Sequence, residues 1–363
     1  MSISIMAKDI DPPGNGSGVS TPARAAAVTM RDVAEHAGVS VATVSLVINN
    51  KKRDRIGEAT RTRVKKAVAE LGYRPNVLAQ SLGTGQSRFI GMIADAIATL
   101  PYAGQILRGA QEEAWRNGYV LLVVDTDDVA ELTDDALRMM IDHKAVGVLY
   151  STWYHTEVQP PSLLASVPSV FVNCFTSDPT GYAVVPNEVQ GGFAATQLLT
   201  SQGHRRIAFV NSTEIAPSTS GRFEGYREAL AEVGVGVDPA LQVSIDPDAA
   251  GGFQEAGYAA GHELLSRGNA PTAVFCYNDR VAMGMYDALK EHGLSIPGDI
   301  AIVGFDDQEV IAAHLRPRLT SIALPHYELG VRGVQALLKR VEQGDSLTGV
   351  ERIDCPPVVR SSI

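Results

Sequence analysis

Residues 29–50 read TMRDVAEHAGVSVATVSLVINN, and the placement of their apolar side chains decides what the chain is built around. Thr29 is suited to accept the free N–H groups of a helix that starts at Met30. Val33, Ala34 and Ala37 then share one face at helical spacing. Gly38 supplies the backbone freedom to end that helix, and Ser40 can cap the next. In the second helix Val44, Val47 and Ile48 point one way, while Ala42, Ser45, Leu46 and Asn49 point the other. Helices this short are not stable alone, so the apolar faces must pack on each other. The outward face is slender and carries no acid, a shape a DNA groove accepts. The pair predicts a helix-turn-helix.

Two such helices also suit an ordinary all-α packing, and the flanking residues favour DNA. A basic loop, Lys51-Lys52-Arg53 with Arg55, comes next. A third helix from Ala59 to Leu71 turns Val64, Val68 and Leu71 inward and Arg61, Arg63, Lys65 and Lys66 outward, and stops at Gly72. The chain of 363 residues has a net charge of −10, which by itself argues against a polyanionic partner. The distribution reverses that reading. Residues 28–84 hold ten Lys or Arg against five Asp or Glu, a net of +5 that leaves −15 for the rest. Local positive charge is what binds phosphate, and an acidic body limits indiscriminate coating of DNA.

Residues 1–27 are rich in Pro, Gly and Ser and lack the apolar core of a secretion signal, so a disordered tail is expected there. The headpiece is assigned to 28–74 and a hinge to 75–85. After Arg74-Pro75 the hinge, Val77 to Leu82, has room for little more than one and a half turns of helix before Gly83 and Gly85. Two readings of it stand, a plain linker or a helix that orders only against a partner. From Arg88 onward short apolar strands alternate with amphipathic helices, the rhythm of right-handed crossovers and a parallel sheet covered on both faces. The length of 86–363 exceeds what one such sheet commonly holds, so two α/β lobes are expected. Ligands then bind beyond the carboxyl ends of the strands, in the cleft between the lobes. Cys174, Cys276 and Cys355 are far apart and in no metal-ligand spacing, which suits buried reduced thiols in the cytoplasm. No apolar run approaches a membrane span.

The stretches VSVATVSLVIN and ATRTRVKKAVAELGYRPNVLAQSL, followed by a strand, resemble the lac repressor family of bacterial transcription regulators. GHRRIAFVN, SGRFEGYREAL, PTAVFCYNDRVAMG and GDIAIVGFDD extend the resemblance over nearly everything after the tail. The resemblance implies an all-α helix-turn-helix headpiece with a hinge helix, followed by a two-lobed α/β body like the periplasmic sugar-binding proteins, with two parallel doubly wound sheets. It implies lobe 1 at about 86–186 and 319–349, and lobe 2 at about 187–318 and 350–363. It also implies a homodimer on a palindromic double-stranded DNA operator; from the residues themselves no membrane partner, cofactor or metal is expected. The chain ends soon after Val359-Arg360 without the leucine heptads that tetrameric relatives add.

Carried onto this chain, the family pattern gives base reading to Val41, Ala42 and Leu46. It gives phosphate contact to Thr29, Ser40, Thr43, Ser45 and Asn49, and places Asn76, Ala79 and Leu82 of the hinge on DNA, with Leu82 as a minor-groove wedge. All three base-reading side chains are apolar where relatives often carry hydrogen-bonding ones. They can touch thymine methyls but cannot form bidentate bonds to guanine or adenine, so central-step deformability is expected to share in the specificity.

In the cleft, Arg222 and Asp279 match effector-holding positions, a guanidinium fork and a carboxylate suited to hydroxyls or a carboxylate. Tyr102, Gln105, Trp153 and Asn173 follow first-lobe strands and complete the candidate set, while Asp306 and Asp307 are expected to cap a turn. Pro186-Asn187 stands where relatives have Asp-Asn, and no ring-stacking aromatic lies near Pro247-Asp248. A sugar or sugar-derived metabolite is the expected effector class. No nucleophile elbow, HExxH or P-loop is present, and His143, His155 and His204 read as isolated and solvated. The chain is therefore expected to be a ligand-responsive repressor and not an enzyme. A transport solute-binding protein and a cytosolic sugar enzyme are the alternatives.

Overall fold

Thr29 opens the first helix as the sequence requires. Its hydroxyl accepts from the Asp32 N–H at 3.3 Å, and its own N–H donates to the Asp32 carboxylate at 2.7 Å, a reciprocal cap. Helix α1 (Met30–Ala37) ends at Gly38, whose φ of 62° is left-handed. Ser40 then caps α2 (Val41–Ile48) by accepting from the Thr43 N–H at 3.2 Å. Helix α3 (Glu58–Glu70) closes the unit. Val33, Ala34, Ala37, Val44, Val47, Val64, Ala67 and Tyr73 form its core. Arg61 departs from the outward placement expected of it. It is buried, and its Nε donates to the Ile56 carbonyl at 3.3 Å, anchoring the turn before α3.

The computed structural model describes residues 28–48, 56–73, 87–95, 97, 103–127, 129–268, 270–344 and 347–363. They fall into two compact units divided along the chain between Ser87 and Arg88. In the larger unit the first lobe begins with β1 (Phe89–Asp95), α4 (Gly104–Arg116), β2 (Val120–Asp125), α5 (Ala130–Asp142), β3 (Val148–Glu157), β4 (Ser169–Phe175) and β5 (Tyr182–Pro186). The chain then enters the second lobe through α6 (Glu188–Ser201), β6 (Ile207–Ser212), α7 (Pro217–Glu232), β7 (Gln242–Ile245), α8 (Pro247–Ala250) and α9 (Phe253–Ser266). It continues with β8 (Ala273–Cys276), α10 (Asp279–Glu291), β9 (Ala301–Asp306), α11 (Glu309–Ala312) and β10 (Thr320–Ala323). Helix α12 (His326–Gln343) and β11 (Gly349–Ile353) return to the first lobe, and β12 (Pro357–Val358) ends in the second.

The first sheet runs β11-β5-β4-β3-β1-β2 and the second β12-β10-β9-β8-β6-β7, all parallel except the β10–β12 pair. Two crossings between the lobes differ from the expected boundaries. Strand β10 pairs with β9, so 319–323 belongs to the second lobe; β11 pairs with β5, so 350–353 belongs to the first. A four-residue buried strand such as Thr320–Ala323 carries no periodic mark of which sheet receives it.

Backbone-to-backbone contact between α6 and α7 fixes the part of the second lobe that matters most for the cleft. A Cβ at Gly192 would lie 2.3 Å from the Arg222 carbonyl, and one at Gly225 would lie 2.1 Å from the Val189 carbonyl. Only glycine permits that approach, and it brings the first residue of α6, Glu188, against Arg222 of α7. The three cysteines are buried and free. No helix among the described residues is long and apolar enough to cross a membrane.

Candidate functional site

The headpiece buries Val44 and Val47 of α2, leaving its other side outward. Val41 is 45 % exposed, Ala42 is exposed, and Thr43, Ser45 and Leu46 are half-buried. Thr29 and Ser40 are exposed, and each already holds a helix cap, so any phosphate they contact shares a hydroxyl that also accepts from the backbone. Arg63, Lys65 and Lys66 stand exposed on α3. Nε2 of His36 lies 3.0 Å from the Glu70 carboxylate and ties α1 to α3, a pairing that sequence spacing alone did not mark. Asn49, Asn76, Ala79, Leu82 and Tyr102, each expected to contact DNA or ligand, lie outside the described residues.

In the body, a buried ionic cluster sits where α6, α7 and the end of β9 converge. Nε of Arg222 donates to Glu188 Oε2 at 2.9 Å, Nη1 donates to the Tyr277 carbonyl at 2.6 Å, and Nη2 lies 3.6 Å from Asp306. The guanidinium also lies 3.7 Å from the Phe305 ring centroid. His155, at the far end of β3 in the other lobe, places Nδ1 3.5 Å from Glu188. Its side chain is largely buried, so it is neither isolated nor solvated as the sequence suggested. A register shift between Ser151 and Thr156 re-aims this end of β3, which the sequence did not reveal.

Asp279 belongs to the same lobe and is fully buried, accepting from the Gln308 N–H at 2.6 Å and from the Ser321 hydroxyl at 2.5 Å. Its carboxyl is therefore committed to joining α10, the turn after β9 and β10. It does not cap its own helix, which Asn278 does. Asp306 ends β9 and Asp307 follows it, and the chain bends there with left-handed φ, of 96° and 51°, but neither carboxylate caps the short helix α11 that follows. Such backbone persists in non-glycine residues only where the surroundings over-determine it. Here Gln308 Nε2 donates to Asp306 at 3.0 Å, and Arg360 lies 2.6 Å from Asp307.

A cavity of about 760 Å³ opens between the lobes beside this turn. Gln105 and Tyr327 line it from the first lobe, and Arg280, Asp306, Asp307 and Gln308 from the second. Of the described effector candidates, Gln105 faces this cavity, whereas Arg222 and Asp279 stand behind its wall and reach it through Asp306 and Gln308. Asn173 is buried with φ 61°, and its Nδ2 donates to the Thr152 carbonyl at 3.0 Å, holding β4 to the bulged β3. Trp153 is half-buried against Tyr154, ring centroids 4.6 Å apart. Glu188, His155 and Gln308 are the site residues the sequence missed. Only Glu188, an acid in the first turn of a helix, carried even a generic signal.

The charges of the cluster push against one another. Burial opposes the Arg222 cation, but Glu188 and Asp306 outweigh it and raise its pKa. Burial also opposes the Glu188 anion, yet Arg222 and His155 hold its pKa below the usual range. Burial drives the Asp279 carboxyl well upward, helped by the charge of Asp306. Asp306 itself is pushed up to about 6 by burial, against the pull of Arg222. An acid whose pKa rises on folding loses its proton first in the unfolded chain, so its contribution to stability falls as pH climbs from about 4 to about 6, then levels. Asp306→Asn is expected to flatten that part of the pH–stability profile, measured by urea denaturation at stepped pH. An unaltered profile would assign the titration elsewhere.

The profile described as bacterial regulatory proteins, lacI family, matches residues 29–76, and that of the periplasmic binding protein-like domain matches residues 196–363. The ribose operon repressor of Escherichia coli (strain K12) is 35 % identical over 321 residues, covering 87 % of this chain and 93 % of that protein. The chain belongs to the lacI family of bacterial regulators. Among solved structures, the lac repressor dimer bound to operator and the anti-inducer ONPF is 27 % identical, with a TM-score of 0.74 over 93 % of this chain and 99 % of that one. A lacI-family regulator from Enterococcus faecium with bound ribose is 25 % identical, with a TM-score of 0.60 over 76 % of this chain and 98 % of that one. The helix-turn-helix and the two-sheet body are those of the family, and the chain is a DNA-binding transcriptional repressor of the lac repressor type.

Proposed function

We propose that two copies of this regulator bind a palindromic operator and that a small polyhydroxylated metabolite, a sugar or close derivative, controls them from the inter-lobe cleft. The observation that carries the reading is the outward side of α2, where Val41 and Ala42 are exposed and no acidic residue interrupts them. That surface can lie close to base edges, with selectivity from thymine methyl contact. Thr29, Ser40, Thr43 and Ser45 flank it as phosphate contacts, and Asn49, Asn76, Ala79 and Leu82 extend the interface. Pairing is supported by the free edge of the first sheet. Leu122 on β2 is 43 % exposed, and Leu132 and Met139 on the following helix α5 are 54 % and 47 % exposed. Apolar surface of this kind on an edge strand and its neighbour suits a second copy, as the dimeric lac repressor suggests.

The sugar class is supported by the ribose operon repressor and by the ribose-bound relative. It is also supported by a cavity whose polar groups include Gln105, Arg280 and Asp306. Tyr102, Trp153 and Asn173 would bound the cleft, with Arg222 and Asp279 supporting the wall the ligand touches. A ligand acts on operator affinity only through unequal binding to the two lobe arrangements. The reading places the protein in the cytoplasm as a non-enzymatic regulator.

The test is operator selection from random palindromes with the full chain and with Leu46→Ala, followed by anisotropy titrations across salt. The expected result is a selected palindrome, a steep loss of affinity with salt, and a changed base preference at Leu46→Ala. No enrichment, or an unchanged preference in the variant, would defeat the reading.

A further inference from the structure

Away from the cleft, α9 and α10 carry a pair of histidines whose setting is built like the inner part of a metal site. Nδ1 of His262 on α9 faces Nε2 of His292, just past the end of α10, at 3.0 Å, with ring centroids 5.0 Å apart. The other nitrogen of His262, Nε2, is buried without a hydrogen-bond partner and has the Glu291 carboxylate 3.4 Å away. Glu291 is itself held by the Tyr258 hydroxyl, which donates to it at 2.7 Å. A carboxylate facing one ring nitrogen favours the proton there and leaves the lone pair on the other, the arrangement that orients metal-binding histidines. Nδ1 then accepts the hydrogen bond from His292 Nε2, so a metal ion held by both nitrogens takes the place of the bridging proton while His292 carries its proton on Nδ1.

The two helices cannot drift apart in register. A Cβ at Gly284 would lie 2.0 Å from the Gln254 carbonyl, and one at Gly257 would lie 2.2 Å from the Val281 carbonyl, so α9 and α10 touch backbone to backbone. Beside the histidines a groove of about 430 Å³ is lined by Glu255, Asp287 and Glu291 against the single ammonium of Lys290. Its net charge favours a cation.

We infer that His262 and His292 bind one divalent transition-metal ion on the outer face of the second lobe, with water completing the coordination. No group of three or more His, Cys, Asp or Glu converges among the described residues, so the protein supplies two ligands. With metal–nitrogen bonds of roughly 2.0–2.1 Å, nitrogens this close subtend about 90° at the metal. That is the cis angle of a tetragonal or octahedral ion, which selects Cu²⁺ or Ni²⁺ over tetrahedral Zn²⁺.

The test titrates Ni²⁺ calorimetrically into the untagged, chelator-stripped full chain at neutral pH. One Ni²⁺ per chain is expected at micromolar affinity, weakened at least tenfold by His262→Ala or His292→Ala and about tenfold to a hundredfold by Glu291→Gln. His143→Ala should bind as the parent does. The metal-free melting temperature of each variant is compared with the parent's, so that a folding defect is seen separately. In a parallel sample, the electron paramagnetic resonance spectrum of bound Cu²⁺ should show coupling to two nitrogens and lose it in His292→Ala. Absence of Ni²⁺ binding by the parent, undiminished binding by the double variant His262→Ala/His292→Ala, or Cu²⁺ without two-nitrogen coupling would overturn the assignment.

Discussion

Arg222→Met is expected to destabilise the ligand-binding body by about 3–5 kcal/mol, read from the urea midpoint of its unfolding transition. The cost comes less from the contacts of the guanidinium than from what it leaves behind. Glu188 is buried and Asp306 nearly so at the cavity wall, and Arg222 is the cation they share, 2.9 Å from the first and 3.6 Å from the second. Removing it strands carboxylates in a low-dielectric interior, which is far dearer than never having placed them there. Methionine keeps much of the aliphatic stem against Phe305, so lost packing contributes little by comparison. The prediction has a second half. Adding Glu188→Met to Arg222→Met should recover part of the loss, because an apolar pair of similar volume removes the stranded charge as well as the bond. Arg222→Lys should not rescue, since one ammonium cannot serve Glu188, the Tyr277 carbonyl and the Phe305 face in three directions. If the double variant proves no more stable than Arg222→Met, charge burial does not govern this cluster.

That cluster also marks where the chain was legible and where it was not. The headpiece could be read almost to the residue, because a reciprocal cap at Thr29, a left-handed Gly38 and a Ser40 cap each act within four residues of their targets. The alternation of strands and helices was equally readable, since the inner strands of both sheets are buried on two faces and are apolar runs. Strand β5 and strand β11 were not anticipated. Tyr182–Pro186 ends on a proline, and Gly349–Ile353 carries two adjacent charges, Glu351 and Arg352, at a sheet edge, so neither has the full signature of a core strand. Arg222 and Asp279 were nominated through family resemblance, but the side chains they bond to were not. Glu188 lies 34 residues before Arg222, and Ser321 lies 42 after Asp279. Contacts across such separations depend on how helices and strands stack, and for Glu188 and Arg222 on Gly192 and Gly225 letting two helix backbones touch. No local pattern encodes that contact. Arg61 failed for a related reason: on a basic helix, nothing in the spacing distinguishes the one guanidinium that folds inward to serve a carbonyl.

The second large effect concerns the headpiece, where Val44→Asp should abolish specific operator recognition, with affinity falling by at least about 10³ to the non-specific level. Val44 is fully buried, packed with Val33, Ala37, Val64 and Ala67 in a core of eight side chains. A carboxylate placed there meets no partner and costs several kcal/mol. A three-helix unit of this size has about 3–5 kcal/mol to lose, so the substitution exceeds its stability and α2 can no longer present Val41, Ala42 and Leu46 as one surface. The larger unit has its own cores and is expected to keep its melting transition unchanged. Calorimetry on the full chain separates the two effects, and anisotropy on the selected operator measures the consequence. Val44→Ala provides the graded control, since a small cavity costs far less than a buried charge and should leave a weakened headpiece that still binds. Should Val44→Asp retain operator affinity near that of the parent, recognition would not depend on the packed headpiece, and the assignment of α2 to the DNA would have to be abandoned.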